Sequence, residues 1–235
     1  MNDDSAATND ALQSDNDSQA GYREAVDVFS DWALIGKDEG MERGHANAVQ
    51  EMLTFAISKV AGLGNKFSAI DVGCGNGWVA RQLLMMPGCE AAVGIDGSES
   101  MIAKAKEIDP TGEYHLALLP DWQPKQRFNL LHSMEFLYYL KDPASMLKAF
   151  AENWLEEGGW AVIGIDHYQE NTESLDWPEA VGVHMTTFSE QQWLAHWQEA
   201  GFTNITHWRA DTKQNEDGST TPGTLVIAGM KPSTA

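Results

Sequence analysis

The sequence predicts a doubly wound α/β fold: a mostly parallel, seven-stranded sheet with an N-terminal helical cap and a C-terminal antiparallel hairpin. Three observations carry this. From Phe67 onward, short apolar runs alternate with helical stretches, the texture of repeated β-α units around a parallel sheet. The first apolar run enters a turn with three glycines at alternate positions, Gly73, Gly75 and Gly77, before a helix. Two alternating runs near the end are joined by the polar turn Asn215–Pro222.

Taken in order, residues 1–20 hold five aspartates, no Lys or Arg, and Leu12 as their large apolar residue, which predicts a disordered acidic tail. Residues 21–62 read as the cap: Val26, Phe29 and Trp32, then Val49, Leu53, Phe55, Ile57 and Val60, recur at three-and-four spacing, broken near Gly36–Gly40. Two or three helices should result. Residues 63–235 form the main domain. Strands are expected near 67–72, 91–95, 113–117, 128–133 and 160–166, with helices at 77–86, 98–108 and 143–155, the last stopped by Gly158-Gly159. The stretch from about 167 to 188 is too long for an ordinary β-to-α loop and reads as a lid. Ser189 should cap a helix over 190–200, and 202–210 and 223–230 should pair as the hairpin.

Bulk properties narrow the function. A hydrophobic share of 43% supports one packed domain. The net charge of −20 opposes nucleic acid, whose phosphates require clustered cations; an acidic surface either solubilises the chain or attracts cations. Cys74 and Cys89 form neither a metal-type pair nor a disulfide framework, so a reducing cytoplasm is the expected compartment. No segment has the length of a membrane span and the N-terminus lacks a signal-peptide pattern, which predicts no membrane association. The histidines and acids show no metal-ligand spacing, so no metal is expected. Nothing in the pattern favours one oligomeric state.

The chemistry concentrates in two segments. Asp71-Val72-Gly73-Cys74-Gly75-Asn76-Gly77 lets bare backbone turn sharply and approach a ligand closely. Trp78 stands where a nicotinamide-dinucleotide fingerprint wants its third glycine. The second strand then ends in Asp96, placed to accept both hydroxyls of a ribose beside the glycine turn. The plainer role for Asp96 is to cap the following helix.

Together the two segments resemble the class I S-adenosylmethionine-dependent methyltransferases, over residues 67–166 by motif and to about 230 by topology, which implies a Rossmann-like fold. The resemblance implies S-adenosylmethionine as co-substrate, with Asp71 near its amino-acid part, Gly73, Cys74 and Gly75 beneath it, Asp96 beside Gly97 on the ribose, and Met101 against adenine. Aligned on Leu119-Pro120, the adenine-contact position falls on His115 or Leu116. The run Phe128–Leu140, with Ser133 and Glu135 at the carboxyl edge of the sheet, is similar to the segment that borders donor and acceptor. It lacks the Asn- or Asp-Pro-Pro-Tyr run of nucleic-acid-methylating relatives, which implies a small-molecule acceptor. Glu135, His45 and His167 are the candidate general bases, each with a plainer reading as a binding or packing residue. Tyr168, Trp177, His184 and Met185 are candidates for an aromatic and sulfur wall in the lid, or for core. His132 reads as a core histidine. A protein methyltransferase, a non-catalytic S-adenosylmethionine-binding module and a nicotinamide-dependent oxidoreductase are the rival readings.

Overall fold

The computed structural model describes residues 21–60 and 66–233. The acidic tail expected over 1–20 lies outside the described residues. Elements run α1 (Ala25–Leu34), α2 (Lys37–Val60), β1 (Phe67–Val72), α3 (Trp78–Leu84), β2 (Cys89–Asp96), α4 (Glu99–Ile108), β3 (Glu113–Leu116), β4 (Phe128–Met134), α5 (Pro143–Ala149), β5 (Leu155–Ile165), α6 (Trp177–Val181), α7 (Glu190–Glu199), β6 (Thr203–Ala210) and β7 (Thr224–Met230). One seven-stranded sheet has the order β3-β2-β1-β4-β5-β7-β6. The first five strands are parallel, and β7 runs antiparallel to both β5 and β6.

The central strands are apolar on both faces because both faces are covered. Successive residues alternate between two cores: Ile70, Leu131, Ile163 and Ile227 face one side with Trp154, Trp193 and Trp197, while Ala69, Leu130, Val162 and Val226 face the other, where α2 contributes Val49, Met52 and Leu53. The chain leaves β1 toward β2 in one direction and enters β4 in the other. That reversal opens a crevice at the carboxyl ends of β1 and β4.

The cap has two helices. Gly36, at φ 73°, ends α1 in the left-handed conformation, but Gly40 and Gly44 lie inside α2, whose buried apolar face offsets their weak propensity. The helix expected over 143–155 stops at Ala149 and widens into a π turn, Phe150–Trp154, so β5 starts five residues before the expected strand start at 160. Gly158 does adopt a positive φ of 76°, but within a bulge of β5 that exchanges backbone bonds with Lys231, and not as a helix stop. Ser189 and Gln192 make the full capping box of α7. The segment after β5 folds over the sheet edge, and Val183 bridges to Arg23 ahead of α1, with Arg23 N donating to Gly182 O at 2.8 Å, so cap and lid meet. No helix among the described residues is long and apolar enough to cross a membrane.

Candidate active site

The bend after β1 is stitched to β2: the amides of Gly73 and Cys74 both donate to the Ile95 carbonyl at 2.9 Å. Gly73 needs its φ of 73° and its missing side chain, since a Cβ there would lie 2.7 Å from the Cβ of Phe136. Gly75, at φ 53°, faces open space, with the Met101 sulfur as its nearest neighbour at 4.0 Å. Its amide donates to Asp96 Oδ2 at 2.9 Å, and the amide of Ser98 donates to Oδ1 at 2.8 Å. Both oxygens are thus held by backbone amides, and the side chain lines the cavity. Capping of α4 falls to Ser98, whose hydroxyl accepts from the Met101 amide at 3.2 Å, leaving Asp96 without that duty. Burial pushes the Asp96 carboxyl up, opposed by the Ser98 and Gly75 bonds.

Two chambers meet above this bend. The outer one, about 330 Å³, runs past Asp96, Gly97 and Met101 to Leu119, under Phe29 of α1 and His184 of the lid. The inner one, about 80 Å³, is lined by Asp38, Glu42, His45, Asp71 and Asn76. Met41, Gly73, Gly75, Met101, Met134 and Glu135 line both, and so mark the seam. At the inner end, Asp71 Oδ1 bonds His132 Nδ1 at 2.7 Å, while Asp71 Oδ2 is buried without a partner. Asn76 donates to Asp38 at 2.9 Å, and Lys104 pairs with Asp38 at 2.8 Å, pinning the start of α2 to the glycine bend.

At the seam stands an acid–base cluster. Glu135 has φ 56°, an uncommon conformation for this residue, and turns its carboxylate back under the sheet edge. Oε1 accepts from the Asp166 amide at 2.6 Å and Oε2 from the Tyr138 hydroxyl at 2.5 Å. Asp166, just past β5, pairs with His45 Nε2 at 3.3 Å, and His45 Nδ1 bonds the Met41 carbonyl at 2.8 Å. Burial and then the Asp166 charge push the Glu135 carboxyl up to about 8, despite the opposing effect of His45. Burial alone would lower the His45 imidazole, but the Asp166 bond and the Glu135 charge carry it up to about 9. Among the described residues these three also form the one His–carboxylate group whose ligand-type atoms lie within 4.8 Å of one another, although their sequence spacing carries no metal pattern.

Several residues singled out from the sequence lie elsewhere. His167 is buried with both ring nitrogens engaged, to Ser174 O at 2.9 Å and Thr187 Oγ1 at 2.7 Å, and lines neither chamber. Ser133 donates to the Val72 carbonyl at 2.8 Å and clamps β4 to β1. The Leu116 side chain is half exposed and outside both chambers; Ala117, Leu118 and Leu119 form that wall. Cys74 is buried against the inner chamber, where burial raises its thiol. In the lid, Tyr168 is fully buried, its hydroxyl donating to the Gly223 carbonyl at 2.9 Å; Met185 is core, and Trp177 packs near His167, leaving His184 as the lid side chain on the cavity.

A family model described as "Methyltransferase domain" matches residues 34–207. The chain belongs to this methyltransferase family. Curated relatives include the trans-aconitate 2-methyltransferase of Klebsiella pneumoniae (29% identical over 106 residues, 45% of this chain and 42% of the relative). Another is the ubiquinone biosynthesis O-methyltransferase of Hydrogenovibrio crunogenus (28% identical over 141 residues, 57% of each). The chain thus spans less than three fifths of the length of these relatives. Among solved structures, a chain of the Haloferax volcanii complex containing the Trm112 methyltransferase activator has a TM-score of 0.74 at 24% identity, covering 90% of this chain and 99% of that one. NodS of Bradyrhizobium japonicum, an N-methyltransferase solved with S-adenosyl-l-homocysteine, has 0.56 at 17%, covering 78% and 85%. These two establish the fold as that of solved methyltransferases.

The co-substrate of this class is S-adenosylmethionine, and the two chambers fit it. The space over Gly75, the cavity-lining carboxylate of Asp96 and the orphaned Asp71 oxygen meet the needs of a ligand with a diol at one end and an ammonium-bearing amino-acid group at the other. Sequence reasoning missed Asp166, Tyr138 and Tyr139, and the Asp38–Asn76–Lys104 link. A strand-end acid at Asp166, one residue past β5, was the available signal. The Asp38 link joins segments far apart in sequence and left none.

Proposed function

We propose that the chain binds S-adenosylmethionine across the two chambers and transfers its methyl group to a small-molecule acceptor. One observation carries this: Asp96, aimed by the Gly75 and Ser98 amides, faces an outer chamber roofed by cap and lid, with an acid–base cluster at its inner seam. In this reading Asp96 and Gly97 hold the ribose, Met101 and Leu119 border the adenine, and Gly73, Cys74, Gly75 and Asp71 surround the amino-acid end. Glu135 and His45 handle protons on the acceptor side. Cap and lid place the acceptor in line with the methyl carbon and exclude water, which is most of what methyl transfer requires. The roof supports an acceptor that can be enclosed, over a protein tail. The unpaired Cys74 and Cys89 fit a reducing, cytoplasmic setting.

Calorimetry with S-adenosylmethionine, S-adenosylhomocysteine and NAD tests the first half of this reading. Binding of the first two and not the third is expected, and failure of both to bind would refute it. A panel of small hydroxy, amino and carboxylic acids, with basic peptides alongside and methyl-labelled donor, tests the second. Labelling confined to peptides would replace the small-molecule reading.

A further inference from the structure

Of the six residues common to both chambers, Glu135 alone carries an ionisable side chain. A donor whose sugar lies at Asp96 and whose amino-acid end lies in the inner chamber has its sulfur at this seam, where the ionisable side chain is that of Glu135. The groups facing Glu135 are His45 from α2, Asp166 past β5 and Tyr138 in the turn after β4, with Tyr139 bonded to Tyr138 at 3.3 Å. Asp71 closes the inner chamber and Asp96 the outer. Two carboxylates thus share one imidazole at a buried seam.

We propose that Glu135 is ionised by arrival of the positively charged donor and then takes the acceptor's proton, which makes the acceptor a protic nucleophile, a hydroxyl or an N–H amine. The inference rests on the donor site proposed above. The acceptor's lone pair forms the bond to the methyl carbon, the carbon–sulfur bond breaks with its electron pair on sulfur, and the acceptor's proton passes to the Glu135 carboxylate. As the positive charge on sulfur disappears, so does the negative charge on Glu135, and the buried seam keeps one net charge throughout, avoiding an uncompensated buried ion. The free protein begins in the matching state: burial and the Asp166 charge hold the Glu135 carboxyl at about 8, protonated at neutral pH. A nearby cation favours the ionised form.

Calorimetric titration at pH 7, repeated in buffers of different protonation heat, counts protons exchanged on binding. S-adenosylmethionine should release close to one proton more than neutral S-adenosylhomocysteine, and the amine analogue sinefungin, cationic at the same place, should match S-adenosylmethionine. The difference should vanish well above pH 8, where Glu135 is ionised in the free protein. It should also vanish in Glu135→Gln while binding persists, and survive in His45→Asn. If Glu135→Gln does not fold, the wild-type comparison across pH decides. Equal proton release by the charged and neutral compounds overturns the proposal, as does a difference that survives Glu135→Gln and disappears in His45→Asn. If neither compound binds, the donor site itself falls and this inference with it. If both bind with equal proton counts, only the inference falls.

Discussion

The donor end and the acceptor end of the cavity are built differently. Around Asp96 every fixed point is backbone from two adjoining strands: the Gly73 and Cys74 amides on Ile95, and the Gly75 and Ser98 amides on the carboxylate. Around Glu135 one fixed point is the Asp166 backbone amide. The rest of the cluster is side chains, Tyr138 from the turn after β4 and the His45–Asp166 pair that ties in α2, roofed by α1 and the lid. Backbone geometry tolerates change in side chains, so under the proposed reading the donor end can stay constant while the acceptor end is rebuilt to set specificity.

The largest effect should come from breaking the donor end. In the proposed reading Asp96→Ala removes two hydrogen bonds from the ribose to a charged group, each worth roughly 1.5–3 kcal/mol, so affinity for S-adenosylhomocysteine should fall by roughly 100- to 10,000-fold with the circular dichroism unchanged. Unchanged affinity by calorimetry would break the comparison at its firmer end. At the acceptor end, His45→Asn should leave S-adenosylhomocysteine affinity within about 3-fold while turnover of an acceptor found by the panel falls roughly 100-fold, the lower end for a lost proton-handling group. A matching loss of donor affinity would mean that the two ends are not separable.

The same contrast explains what the sequence revealed. The placement of Asp71 through Gly77 and of Asp96 was legible because it follows from local backbone: a strand, a bend without side chains and a second strand tip. Glu135 was legible as a strand-end acid, but its clustering with His45 was not, because α2 reaches the seam through the Asp38–Asn76–Lys104 contacts. Ser133 and Leu116 were placed at the donor by motif alignment alone, and the pleat sends Ser133 toward Val72. The early start of β5 escaped notice because Gly158-Gly159 serves equally as a helix stop or a bulge, and only pairing with Lys231 decides.

An intermediate effect concerns pH. His45 is raised from 6.5 to about 9, and Glu135 from 4.5 to about 8, so the folded state holds protons that the unfolded chain gives up. Stability from these groups is fully present below the unfolded values and is lost as pH rises, most steeply between 6.5 and 8, where both contribute. The melting temperature should therefore fall by several degrees across that interval. Scanning calorimetry should give a flatter profile for Glu135→Gln and His45→Asn; a wild-type melting temperature that rises over the interval would contradict the cluster's assigned protonation.

The smallest effect should be at Leu116, and it sharpens the comparison from the side of the donor. Leu116 ends the edge strand β3 in register with Asp96, which is why alignment points to it as an adenine contact. The cavity wall begins only past the end of β3, with Ala117, Leu118 and Leu119, and the Leu116 side chain lies outside it, half exposed. Truncating an exposed side chain with no partner in the cavity removes no burial the ligand depends on. Leu116→Ala should thus leave S-adenosylhomocysteine affinity within about 2-fold and stability within about 0.5 kcal/mol, whereas Leu119→Ala, which opens the wall itself, should weaken binding. A larger loss from Leu116→Ala than from Leu119→Ala would show that β3 reorients around the adenine, and that the donor end is less fixed by backbone than its hydrogen bonds imply.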